Sequence, residues 1–263
     1  MRLHRINMVV WAAVSAVPWV VGALADEHSR LVWWAAAAAI DLLGMRLRHP
    51  VPGLPVPGRD EIDFDLPHQI ERCQLFLIIC LGEAILTTGN AIIHGLDEPL
   101  VVAAGVTSLL VIIGVWALFF GPANEEHVLA PMTSEAHGDD PAANVSLAVL
   151  ATNGQQVLVL GMVALAVGAE VVVAEPAEPI APAAVMALFG GMVICVTAFW
   201  FFLTRSAGRS MWVSLAACDA VLICAAGVSV LAGLSGIAVM GLLVVVTAST
   251  AWGFNREARL LAR

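Results

Sequence analysis

The stretch His68-Gln69-Ile70-Glu71-Arg72-Cys73-Gln74-Leu75-Phe76-Leu77-Ile78-Ile79-Cys80-Leu81-Gly82-Glu83-Ala84-Ile85-Leu86-Thr87-Thr88-Gly89-Asn90, running on to His94, decides how the chain is read. It is apolar for the length of a membrane crossing, yet its polar residues are not scattered. On a helix turning about 100° per residue, His68, Arg72, Thr87, Asn90 and His94 all lie within about 60° of Glu83. The opposite side carries Leu77, Ile78, Leu81, Ile85 and Ile92. At about 1.5 Å per residue the polar stripe extends about 39 Å, from one membrane border to the other. A stripe of this kind cannot be turned toward lipid, so it is expected inside the bundle, against protein or a hydrated path.

The surroundings of this segment repeat its apolar character. Of the 263 residues, 60% are hydrophobic and 13% charged, with a mean hydropathy of +0.90. Soluble domains carry about 25% charged residues, so an ordinary water-soluble enzyme, a disordered chain and a disulfide scaffold are all excluded. The twelve basic residues are all arginine, the net charge is −9, and no basic face exists for nucleic acid. The five cysteines lie within apolar runs without metal-ligand spacing and read as small core residues.

A hydrocarbon core of about 30 Å takes about 20 apolar residues per helix. Eight runs qualify: 7–25, 31–46, 69–93, 99–120, 148–174, 183–204, 211–232 and 235–254. The second is the weakest, because Asp41 interrupts it. The first begins after Arg2 and Arg5 and ends at Ala23-Leu24-Ala25, the outline of a secretory signal. Its apolar length, Pro18 and two tryptophans favour an uncleaved helix. The fold class is therefore an all-α bundle of about eight membrane spans, with 1–263 as a single transmembrane domain. With eight spans and an internal N-terminus, eleven arginines face the cytoplasm and only Arg30 lies outside. Both termini are then cytoplasmic.

Residues 47–68 and 121–146 form cytoplasmic loops in this arrangement. The first is rich in proline and ends in the acidic run Asp60-Glu61-Ile62-Asp63-Phe64-Asp65; the second is acidic and has no arginine. Asp60, Asp63 and Asp65, or Glu125, Glu126, His127, Asp139 and Asp140, could offer oxygens to a divalent cation. Without EF-hand spacing, solvated loops are the better reading, and no metal is expected.

Ionisable groups within spans are functional candidates by default, because hydrocarbon makes each of them costly. They are Asp41, Glu83, Glu170 and Asp219, with Glu71 and Arg72 at the start of the third span and His68 just before it. Together with Asn90, the residues His68, Glu71, Arg72, Asp41, Glu83 and Asp219 make up the candidate transport site or polar network. Gly82 leaves room for a neighbouring backbone beside the Glu83 carboxylate. In the fifth span, Asn153-Gly154-Gln155-Gln156 suggests a break or kink near Gly154, and Glu170 falls toward the outer interface.

The third span resembles the bacterial low temperature requirement A (LtrA) family in its motif His-x-x-Glu-Arg-x-x-Leu-Phe-x-Ile-Ile-x-Leu-Gly-Glu-x-Ile-Leu, carried here from His68 to Leu86. Residues 37–44, Ala-Ala-Ala-Ile-Asp-Leu-Leu-Gly, are similar to a second family helix. Residues 159–170 are similar to the Gly-x-Val-x-x-x-x-Gly-x-Glu helix. The likeness covers roughly residues 1–205 and corresponds to the later two-thirds of a member, without the N-terminal helices bearing Glu-Leu-Phe-Phe-Asp-Leu. Where the family has His-Leu-Pro, this chain has Gln155-Gln156-Val157, so no histidine role carries over. The resemblance implies a multi-pass protein of the bacterial inner membrane associated with growth at low temperature.

Two functions follow as expectations. One is a transporter or channel for a proton, cation or small polar solute using Glu83; the other is a non-transporting scaffold or interaction protein. An enzyme is not expected, since there is no Gly-x-Ser-x-Gly, no metal-spaced pair on one helix and no cofactor loop. No cofactor is expected. The partners expected are the lipid bilayer and either a homo-oligomer or another helix.

Overall fold

Residues 66–93 form one unbroken helix in the computed structural model, which describes residues 2–55, 66–93, 95–121, 141–206 and 212–261. The helices are α1 (Arg2–Leu24), α2 (Glu27–Leu47), α3 (Leu66–Ile93), α4 (Pro99–Phe120), α5 (Pro141–Ala174), α6 (Pro182–Ser206), α7 (Trp212–Leu231) and α8 (Gly236–Leu261). The fold is all-α: among the described residues there is no β-strand, only an isolated bridge between Pro179 and Ser235.

Seven of these helices are long and apolar enough to cross a membrane. The expected span at 31–46 is a helix of full length, but α2 is not among the seven. Arg30, Asp41 and Arg46 dilute its apolar run, Asp41 being the interruption read from the sequence. The helix is not broken near Gly154: α5 is continuous through Asn153-Gly154-Gln155-Gln156. This helix also begins at Pro141, earlier than the apolar count suggests. The acidic residues of 60–65 and 125–140 lie outside the described residues.

Helix boundaries follow local chemistry. Prolines at the first positions of α4, α5 and α6 need no intrahelical N–H partner there. Asp26 caps α2, accepting from the Ser29 N–H at 3.2 Å and from the Ser29 hydroxyl. These bonds, the hydroxyl first, hold the Asp26 carboxyl below the usual aspartate range. Gly233, at φ 59°, closes α7 in a left-handed turn in which the Leu234 N–H reaches the Ser229 carbonyl at 3.1 Å.

The chain divides into two compact units, residues 1–64 with 140–145, and residues 65–139 with 146–263. In the first, α1 and α2 pack together as a hairpin. Trp11 Nε1 donates to the Pro50 carbonyl at 2.9 Å, and Trp19 stacks at a tilt near Trp34. In the second, α3 and α8 both pack on α4, α6 on α7, and α8 also touches α6 and α7. Helices α5 and α6 approach so closely at Gly161 and Gly191 that a Cβ on Gly191 would lie 2.6 Å from the Gly161 carbonyl oxygen. The core holds Val111 and Val115 of α4, Met162 and Val172 of α5, Leu188, Met192 and Trp200 of α6, Leu222 of α7, and Leu243 of α8. The loops 175–181 and 232–235 are tied by the Ile180 N–H to the Leu234 carbonyl and the Gly236 N–H to the Glu178 carbonyl.

Candidate functional site: the two faces of α3

The buried face of α3 is Leu66, Ile70, Leu77, Leu81 and Thr88. These residues recur every four or seven positions, so they form a single stripe on a helix of 3.6 residues per turn. Part of the apolar side read from the sequence is thus buried, namely Leu77 and Leu81, while Ile78 and Ile85 are exposed. The polar stripe faces the other way. Arg72, Glu83 and Asn90 are all exposed, which corrects the expectation that this stripe is buried within the bundle. The physical reason is packing: the branched side chains of the apolar stripe fill the seam with α4, and the polar residues follow on the far side by periodicity.

At Glu83 the main-chain carbonyl accepts from the Thr87 hydroxyl at 3.0 Å, whereas the carboxylate makes no hydrogen bond among the described residues. Gly82 beside it has open space where a Cβ would stand, so no neighbouring backbone approaches there. Glu71 and His68, at the start of the helix, stand 4.0 Å apart and are both well exposed. His94 lies outside the described residues.

Polar groups inside the second unit are paired in small sets whose partners the sequence did not name. Thr88 and Ser108 meet at 3.2 Å between α3 and α4, both buried, beside a mainly apolar cavity of about 30 Å³ that also touches Leu81, Met162 and Met240. Gln69 Nε2 donates to Thr152 Oγ1 of α5 at 3.2 Å. A second cavity of about 80 Å³, lined by Gln74, Gln155, Leu158 and Phe199 among others, lies at that end of the helix. Asp219 on α7 accepts from the Thr197 hydroxyl of α6 at 3.0 Å, while its other oxygen is buried without a partner among the described residues. A hydroxyl is easily missed in sequence, because Ser and Thr satisfy themselves on the preceding turn of any helix.

The remaining candidates have surroundings of their own. Asp41, in the first unit, accepts from Trp19 Nε1 at 3.2 Å, so its partner is an indole of α1. Glu170 is exposed on α5. Asp219 is joined to α6 and has no bond to α3. Within the second unit Asp219 does not join the α3 residues, of which His68, Arg72, Glu83 and Asn90 share one exposed side and Glu71 points about 120° away from Glu83; Asp41 belongs to a pair of the first unit. Among the described residues, no group of three or more His, Cys, Asp or Glu side chains is arranged to hold a metal.

Comparison with known proteins agrees with the α3 motif and extends it. The uncharacterized protein RA0937 of Rhizobium meliloti (strain 1021) is 28% identical over 170 residues. That match covers 65% of this chain and 40% of the relative, so the chain spans well under half of it. No solved structure matches. The family model for the bacterial low temperature requirement A protein (LtrA) matches residues 2–250, beyond the roughly 205 residues where likeness is visible by eye. Seven apolar helices and a match over nearly the whole sequence make this a multi-pass membrane protein, and the chain belongs to the LtrA family.

Proposed function

We propose that this chain is a membrane-embedded interaction protein in low-temperature growth, and that the polar side of α3 is where it engages another membrane helix. One observation carries the reading: Glu83 and Asn90 are exposed in the middle and outer part of a 28-residue apolar helix. Carboxyl and amide groups facing hydrocarbon are costly, and a second helix relieves the cost by hydrogen bonding. The bacterial inner membrane is the proposed location, with α2 as an eighth crossing and both ends cytoplasmic, the arrangement that sets eleven arginines inside against one outside. No enzymatic step and no cofactor belong to this reading.

A second reading has its own support, the length of the polar stripe. Arg72, Glu83, Thr87 and Asn90 follow one another along α3, so a covering helix would convert the stripe into a path for a proton, cation or small polar solute. Glu83→Gln separates the two. It keeps hydrogen bonding and removes ionisation, so an interaction role tolerates it in a cold-growth assay while Glu83→Leu does not. Under the transport reading, flux in proteoliposomes is lost in Glu83→Gln at normal abundance. Absence of flux above empty vesicles for the unaltered protein removes the second reading. Normal cold growth of Glu83→Leu removes the first.

A further inference from the structure

The exposed side of α3 has a regular spacing of its own. Arg72, Phe76, Ile79, Glu83, Leu86, Asn90 and Ile93 are separated by steps of four and three residues in strict alternation, and every one of them is exposed. Phe76, Ile79, Leu86 and Ile93 are 46%, 65%, 68% and 66% exposed, and they alternate with a carboxyl and an amide. A four-three alternation is the pattern of a left-handed helix pair, in which successive layers meet along one seam. Residues Gly82 and Gly89 flank it seven apart, and a Cβ on either would meet nothing within 4 Å. The groove beside the seam is open to a close neighbour.

We infer that this seam is the contact between two copies of the chain, with their α3 helices side by side and parallel. The inference rests on the interaction reading above and names its partner. Each copy inserts with the same arginine bias, so two α3 helices run in the same direction by construction. Parallel pairing about an axis along the membrane normal then sets every residue opposite its own counterpart at equal depth. Asn90 carries both a donor and an acceptor and is complementary to itself. Two Glu83 side chains meet at one depth, and the isosteric Glu83→Gln keeps a donor and an acceptor on each. Phe76, Ile79, Leu86 and Ile93 meet as apolar layers between them. Arg72, at the border, keeps its charge among water and lipid headgroups. A partner of different sequence would need polar groups at the same two depths; a second copy supplies them necessarily. Buried polar layers of this type fix register and partner number in helix pairs.

Disulfide trapping in native membranes tests the contact. In the full chain with Cys73, Cys80, Cys218 and Cys224 replaced by alanine, the buried Cys195 is left in place. Single cysteines are introduced at the seam, Ile79→Cys and Leu86→Cys, and one residue off it, Ile78→Cys and Ile85→Cys, all four on exposed positions. Disulfides need Cα atoms about 4.4–6.8 Å apart, so the seam pair should yield at least about fivefold more cross-linked dimer than the off-seam pair under mild oxidation. Adding Asn90→Leu to the Leu86→Cys chain should lower that yield at least about threefold if the polar layer holds the register. Equal yields at all four positions overturn the inference, as does a chain that stays monomeric or cross-links to a species of another mass. Loss of cold growth in Glu83→Leu without any seam cross-link sinks the second copy and leaves another helix as partner. Seam cross-linking alongside normal cold growth of Glu83→Leu upholds the dimer and removes the proposed role in growth.

Discussion

Thr197 and Asp219 are a pair made by two helices, one hydroxyl donating to one carboxyl oxygen at 3.0 Å while the other oxygen is buried and alone. Removing the donor leaves both oxygens without a protein partner. Thr197→Val should therefore lower stability by about 1–3 kcal/mol, read from thermal unfolding in detergent. The double change Thr197→Val with Asp219→Leu should cost less than the sum of the two singles, since it removes the partners together. Asp26 acts at a helix end. Its carboxyl is held below the ordinary aspartate range by the Ser29 hydroxyl and N–H, so its contribution is fully present above the unfolded-chain value. That contribution is lost as pH falls through the lower folded value. The advantage of the native chain over Asp26→Ala in thermal midpoint should be level near neutral pH and narrow only in strong acid.

Between elements, α5 and α6 meet backbone to backbone, and two adjacent glycines give opposite forecasts. A Cβ on Gly191 would stand 2.6 Å from the Gly161 carbonyl oxygen and 2.9 Å from the Leu165 nitrogen, both backbone atoms that cannot swing aside. Gly190, one residue earlier, has nothing within 4 Å of the same atom. Gly191→Ala should destabilise by about 1–3 kcal/mol through forced separation of the two helices, whereas Gly190→Ala should be tolerated. Equal midpoints for the two variants in the same detergent would contradict the contact. The same logic explains α3. Its inward face is settled by what fits against α4, and its polar face is whatever remains.

For the second unit as a whole, the aromatic cluster of Phe119, Phe199, Trp200 and Phe254 joins α4, α6 and α8. Ring centroids lie 4.6 Å apart for Phe119 and Phe199 and 5.2 Å apart for Trp200 and Phe254, in edge-on arrangements. Phe199 touches the other three rings. Phe199→Ala should cost about 3–5 kcal/mol, seen as a lowered midpoint of unfolding and reduced abundance in the membrane. Trp200→Phe should be milder, because the buried indole N–H has no partner among the described residues and no hydrogen bond is lost. A Trp200→Phe variant as damaged as Phe199→Ala would point to a bond at that nitrogen.

The amino-acid sequence by itself determined the class and the helices. Apolar runs of membrane length, Arg-only basic residues and the His68–Leu86 motif are local properties, and helix formation in hydrocarbon satisfies the backbone whatever the neighbours are. The weakness of 31–46 was legible in the same way, from Asp41 interrupting its apolar run. Which side of α3 turns inward was not legible. In water, apolar residues go in and polar ones out, but lipid accepts Ile79 and Leu86 as readily as a protein core accepts Leu77 and Leu81. Hydropathy then cannot sort one face from the other, and polarity alone points Glu83 inward. Only tertiary structure decided it, through the fit of Leu66, Ile70, Leu77, Leu81 and Thr88 into the second unit. The pairings of Thr88 with Ser108 and of Asp219 with Thr197 were decided there too, because they depend on the rotation of two helices about their axes.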